Sequence, residues 1–218
     1  MTARVLPDDA AGRAEAIRAL GDGLLVAMPT DTVYGLAVAL GAHGGLERLF
    51  AAKLRPLDKG IVLLLADHRQ AEEVGELDAA AYVLSAAFWP GGLTIVVPQR
   101  PGASLPPELT GGARTIGLRL PAHDAPRSLA AAAGPLPVSS ANRSGREPAI
   151  DADGVLTQLG DVVDLAIVLD GGRAPGGVAS TVVECAGGPP RILRPGAIPP
   201  DALATVLDEA GLAHHLHD

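Results

Sequence analysis

Residues 24–40 read Leu-Leu-Val-Ala-Met-Pro-Thr-Asp-Thr-Val-Tyr-Gly-Leu-Ala-Val-Ala-Leu, two apolar runs separated by a short polar stretch. The unbroken run at 24–28 is the pattern of a buried strand, and Pro29 and Gly35 bracket a tight connection to a second apolar run at 36–40. Working outward, residues 10–20 have the spacing of a short amphipathic helix. Leu46, Leu49 and Phe50 fall at helical spacing in a helix over 43–53, which ends on Lys53. A continuous apolar strand follows at 61–65. Helices are expected at 68–74, 78–88, 124–133, 151–159 and 200–209, and strands at 93–97, 115–120, 136–139, 165–169, 180–185 and 191–194. Trp89-Pro90-Gly91-Gly92 stops the helix before it, and Pro199-Pro200-Asp201 opens the last one. Helices and strands are interspersed, which indicates an α/β fold. The alternation is too irregular for a doubly wound parallel sheet, so a mixed sheet is expected. No internal repeat and no long linker divides the chain, and its 218 residues suit one domain, 1–200 with 201–218 as a closing helix and tail.

Composition narrows the function. The apolar share is 48%, yet no apolar run approaches the roughly 18 residues that a membrane helix needs. Residues 1–9 lack the apolar core of a signal peptide, so a soluble cytoplasmic protein is expected, with no membrane partner. Cys185 stands alone, which excludes a disulfide framework and a cysteine metal cluster. A net charge of −8 and 2% aromatic residues argue against a nucleic-acid coat or a base-stacking platform. His43, His68 and His123 are scattered, while His214, His215 and His217 gather in a tail that reads as frayed and solvated; no metal site is expected.

Only two of the seventeen basic residues are lysines, and both fall within Lys53-Leu54-Arg55-Pro56-Leu57-Asp58-Lys59. Lysine is a compact point charge suited to phosphate, arginine a planar fork. The window therefore reads either as cations converging on a polyphosphate or as a solvated basic loop after a helix. The usual phosphate loops are missing: there is no Gly-x-x-x-x-Gly-Lys-Ser/Thr and no Gly-x-Gly-x-x-Gly after a strand. A nucleotide would have to be held by separate side chains. Candidates end or open strands beside Pro or Gly, where crevices form in α/β sheets: Arg119 before Pro121, Ser140 and Asn142, Ser180 and Thr181, and Arg194 before Pro195. Each alone could equally cap a turn or dress a strand edge. The Gly-rich stretch 171–177 reads either as a lid or as a long connection.

Seven stretches taken in order carry a resemblance: Pro29-Thr-Asp-Thr-Val-Tyr-Gly-Leu36, Lys53-x-Arg55 with Lys59, Trp89-Pro-Gly-Gly-Leu-Thr94, Gly117-Leu-Arg-Leu-Pro121, Ser140-Ala-Asn-Arg-Ser-Gly145, Ala179-Ser-Thr-Val-Val183 and Leu193-Arg-Pro-Gly196. Over about residues 13–200 the chain resembles the YrdC-type threonylcarbamoyl-AMP synthases in their single-domain form. The resemblance implies a mixed, strongly twisted sheet around a large concave cavity. It implies a nucleotidyltransferase that makes threonylcarbamoyl-AMP and pyrophosphate from L-threonine, bicarbonate and ATP with Mg²⁺. Partner transferases would pass the product to adenosine 37 of tRNA, with weak or no direct tRNA binding by this chain. Carried over by residue, Thr32, Arg119, Ser140 and Ser180 would hold threonine. Lys53, Arg55, Lys59, Thr115, Asn142 and Arg194 would hold ATP, with Lys53 and Arg55 catalytic. Departures are Gly92 and Gly60 where the family usually has proline, Asp31 for glutamate, and no histidine in 61–65. Carbamoyl-transfer chemistry and a non-catalytic RNA-binding factor are the alternatives.

Overall fold

The computed structural model describes residues 3–54, 60–103, 105–175 and 177–216. In chain order the elements are β1 (Arg4–Pro7), α1 (Ala10–Gly21), β2 (Leu25–Met28), β3 (Gly35–Ala37), α2 (Gly45–Lys53), β4 (Val62–Leu64), α3 (His68–Val74), α4 (Ala79–Phe88), β5 (Leu93–Pro98), α5 (Pro107–Thr110), β6 (Thr115–Arg119), α6 (Asp124–Ala133), β7 (Leu136–Ser140), α7 (Ala152–Leu159), β8 (Leu165–Asp170), β9 (Thr181–Glu184), β10 (Arg191–Arg194) and α8 (Pro200–Glu209). Four helices start where an aspartate side chain accepts a backbone N–H of the first turn: Asp9 from Gly12, Asp67 from Gln70, Asp78 from Ala81 and Asp151 from Gly154. Each such cap is worth about 1 kcal/mol.

Ten strands form one sheet in the order β1-β8-β2-β3-β7-β4-β6-β5-β9-β10. The pairs β1/β8, β2/β8, β4/β6 and β5/β9 are parallel, and the rest are antiparallel. The irregular alternation of the sequence thus produces the mixed sheet it predicts. Two elements escape the sequence reading, β1 and the one-turn α5. β1 is largely exposed and is held by its ladder to β8, from Arg4 opposite Ile167 to Pro7 opposite Asp170. The apolar run at 36–40 is regular only over β3.

Alternation along the strands decides where the cavity lies. One face carries Leu36, Leu63, Leu93, Ile95, Ile116, Leu118 and Val183 and is packed by apolar residues of α2, α3, α4, α7 and α8, among them Leu49, Phe50, Leu84, Val155 and Leu207. On the opposite face, α1 and α6 cover one part of the sheet, where Leu20 and Leu129 meet Val26, Leu136 and Leu169. The remainder of that face is open, and it presents Val62, Leu64, Thr94, Val96, Thr115, Gly117, Arg119, Val138, Ser140 and Val182 to a concave space. Among the described residues no helix is long and apolar enough to cross a membrane.

Candidate functional site

The cavity has a volume of about 510 Å³, with an apolar floor and polar ends. β6 runs along it, and its residues 115, 117 and 119 share the open face. Thr115 and Arg119 lie four residues apart, roughly 13 Å along a strand that rises about 3.3 Å per residue, so the strand spans the room an extended ligand would need. Gly117 keeps the middle of the floor low, with Val62 on one side and Thr94 on the other.

Arg119 anchors one end. It is 6% exposed and makes three contacts: Nε donates to the Gly91 carbonyl at 3.0 Å, Nη1 to Thr32 Oγ1 at 2.9 Å, and Nη2 to Asp31 Oδ1 at 2.7 Å. The turn after α4 brings Gly91 there because the Trp89 indole donates to the Leu93 carbonyl at 2.7 Å and Gly91 N–H to the Leu120 carbonyl. The loop after β2 brings Thr32 there because Thr30 Oγ1 accepts the N–H groups of Thr32 and Val33 and donates to the Val33 carbonyl. Burial pulls the Arg119 guanidinium below its ordinary value, and Asp31 opposes that shift. Five donors less three leaves one N–H on each terminal nitrogen for a ligand.

Arg194 closes the same end from β10. Its Nη2 donates to the Ser180 carbonyl at 2.8 Å and to Ser180 Oγ at 3.1 Å, and Ser180 Oγ lies 2.8 Å from Thr94 Oγ1. Partial burial and the positive charge of Arg119 both lower its proton affinity. Two guanidinium groups therefore share this corner with one carboxylate, Asp31, a surplus of one positive charge.

Ser140 and Asn142 form the third wall, and behind them lies Lys53. Its Nζ donates to the carbonyls of Ser140 and Asn142, the latter at 2.6 Å, and lies 3.4 Å from Asn142 Oδ1. The Lys53 carbonyl in turn accepts from Ser144 N–H at 2.9 Å, and Arg143 Nη1 donates to the Ala52 carbonyl. The end of α2 and the 140–146 loop clamp one another. Lys53 is 2% exposed and is not among the residues that line the cavity. Thr32, Thr115, Arg119, Ser140, Asn142, Ser180 and Arg194 do line it, while Arg55 and Lys59 lie outside the described residues.

The cavity is also lined by Thr30, Tyr34 and Thr94, which the sequence reading quotes within its stretches without a site role, and by Arg146 and the valine floor, which it does not single out. Period-2 alternation from Arg119 through Gly117 to Thr115, extended to the neighbouring strands, is the signal that finds the floor. Tyr34 also explains the 171–177 stretch: its hydroxyl donates to the Gly172 carbonyl at 2.7 Å, while Gly177 N–H donates to the Thr32 carbonyl and Ala174 N–H to the Ile150 carbonyl. The described part of that stretch is docked on the cavity wall. Among the described residues no group of three His, Cys, Asp or Glu could hold a metal ion; His214 instead faces Asp208 at 3.2 Å, and His217 lies outside the described residues.

The family model for Sua5, YciO and YrdC, described as telomere recombination, matches residues 18–196. A Bacillus subtilis threonylcarbamoyl-AMP synthase is 36% identical over 196 residues, 89% of this chain and 56% of its own length. A Mycobacterium tuberculosis protein carrying that name with a provisional qualifier is 39% identical over 197 residues, 90% of this chain and 89% of its own. The solved structure of Pyrococcus abyssi Sua5 complexed with L-threonine superposes with a TM-score of 0.87 at 32% identity, covering 98% of this chain and 62% of that one. The chain thus spans little more than half of the longer relatives.

Proposed function

The chain belongs to the Sua5/YciO/YrdC family, and on that premise we propose that it condenses L-threonine, bicarbonate and ATP into threonylcarbamoyl-AMP and pyrophosphate. The observation that carries the reading is the corner of Arg119, Arg194 and Asp31, whose single surplus positive charge matches one amino-acid carboxylate. The two unused N–H groups of Arg119 suit that carboxylate as a bidentate pair, with Thr32, Ser140 and Ser180 around the rest of the amino acid. The nucleotide would run along β6 toward Thr115 and Asn142, with the cations Arg55 and Lys59 on its phosphates. Lys53 then contributes by bracing Ser140 and Asn142.

The chemistry suits such a site. The threonine amine adds to bicarbonate with loss of water, giving a carbamate. A carbamate oxygen attacks the α-phosphorus of ATP, the bond to the β,γ-phosphates breaks, and pyrophosphate leaves. Positioning and charge stabilisation are the demands, and no covalent nucleophile is needed. Arg194, held at that corner by Ser180, would offer its remaining donors to the carbamate and the α-phosphate. The cavity wall offers hydroxyl, amide and guanidinium groups, so Mg²⁺ would enter with ATP rather than on protein ligands and would supply charge neutralisation at the phosphates. The labile product calls for a partner that transfers the threonylcarbamoyl group onto tRNA, and the reaction belongs in the cytoplasm, where those reactants meet.

Pyrophosphate release by the purified protein, with threonine and bicarbonate each supplied or omitted, tests this. Release that requires both is expected, with Arg119→Ala lowering it by about 10²- to 10³-fold. Release without threonine would replace this reading by carbamoyl transfer, and no release under any condition would leave a binding module.

A further inference from the structure

Ser180 Oγ has one proton and two lone pairs. One lone pair is taken by Arg194 Nη2 at 3.1 Å, a group that can only donate. The other polar neighbour is Thr94 Oγ1 at 2.8 Å, and either hydroxyl can donate in that contact. The choice sets what Ser180 offers a ligand. If Ser180 gives its proton to Thr94, it has only a lone pair left for the cavity. If Thr94 donates, both lone pairs are filled and the Ser180 proton points to the ligand.

The surroundings of Thr94 favour the second arrangement: among the described residues Ser180 is the one hydrogen-bond partner of the Thr94 hydroxyl, whose proton would be stranded if Ser180 donated instead. Thr94 is fully buried, and its methyl group lies against Gly117, 3.4 Å from where a Cβ would stand, so packing turns the hydroxyl toward Ser180. The ligand matched to this corner is a carboxylate or carbamate, whose oxygens only accept. We propose that Thr94 is a positioning residue whose hydroxyl commits Ser180 to donate its proton to an oxygen of the anionic amino-acid substrate. The inference rests on the synthase reading above and assigns a task to a residue that reading leaves idle.

The test uses Thr94→Val, which keeps the shape and removes the hydroxyl, Thr94→Ser, which keeps the hydroxyl, Ser180→Ala, and the Thr94→Val/Ser180→Ala double variant. Pyrophosphate release by the full chain is measured against threonine and against ATP, with a thermal melt for each protein. Thr94→Val is expected to raise the KM for threonine about tenfold, the size of one lost hydrogen bond, and to leave the KM for ATP within about twofold. Thr94→Ser should recover most of the loss. The double variant should match Ser180→Ala alone, because Thr94 acts through Ser180. An unchanged threonine KM in Thr94→Val, or effects of the two single substitutions that simply multiply, would overturn the proposal while the wild-type protein still supports the synthase reading. A wild-type protein that neither releases pyrophosphate nor binds threonine by calorimetry would overturn both.

Discussion

Lys53 shows how far a residue's type can predict its use. The sequence places an ammonium at the end of a helix beside two further cations, and the natural expectation is phosphate. In the fold its Nζ is buried against the Ser140 and Asn142 carbonyls, and backbone and side-chain bonds from Ser144 and Arg143 tie the end of α2 to the 140–146 loop. Composition cannot say from which side of a helix end a flexible side chain leaves. Replacing Lys53 by Met should strand those buried carbonyls and cost about 3 kcal/mol of stability, with turnover falling as the Ser140–Asn142 wall loosens. Urea denaturation alongside steady-state kinetics checks it. A raised KM for ATP with unchanged stability would instead return Lys53 to direct phosphate contact. Arg119 and Ser180 were easier to read because an arginine and a serine at strand ends beside proline and glycine mark a crevice. Thr94 closes one of the quoted stretches, but no role for it is legible there, since a threonine inside an apolar strand is also an ordinary strand former.

At the scale of elements, most helices and strands follow from periodicity and from aspartate caps. β1 does not, because a four-residue edge strand is defined by its partner, and β8 lies some 160 residues away in the chain. The closure of the cavity is equally non-local. After β10 the chain passes so near the start of β9 that a Cβ on Gly196 would stand 2.4 Å from the Ala179 carbonyl oxygen and 2.5 Å from backbone atoms of Ser180 and Thr181. Those atoms are held: Ala197 N–H donates to the Ala179 carbonyl, and Thr181 N–H to the Gly92 carbonyl. Gly196→Ala must therefore push Arg194 and Ser180 apart. A stability loss of about 2 kcal/mol and at least about a tenfold rise in the threonine KM are expected. Gly188→Ala, with no atom near its Cβ position, should stay within about 0.5 kcal/mol of the wild type. Equal effects of the two substitutions would show that the close approach does not shape the site.

Across the whole molecule, a chain of net charge −8 concentrates guanidinium groups in one concave corner and packs apolar residues on both faces of the sheet around it. Burial in that packing carries a signature at high pH. Burial pushes the Cys185 thiol up from 9.0 to about 12, with the charges of Asp78 and Glu184 adding to the shift. Burial likewise raises the Tyr34 phenol from 10.0 to about 12, against a smaller opposing pull from the Gly171 N–H. Both groups keep their protons in the folded protein at pH values where the unfolded chain has released them. The unfolded state then binds fewer protons than the native one, so stability falls as pH rises. The contribution is constant below about pH 9, declines first through Cys185 and then through Tyr34, and levels off only above about pH 12. Urea midpoints should hold steady from pH 7 to 8.5 and drop between pH 9 and 11. In Cys185→Ala the midpoint should start lower, because a buried side chain is truncated, but fall less steeply between pH 9 and 10. Alkylation gives an independent reading of the same burial: with so little thiolate in the native state, iodoacetamide at pH 8 should modify Cys185 only as fast as the protein unfolds, and rapid modification of the folded protein would contradict the assignment.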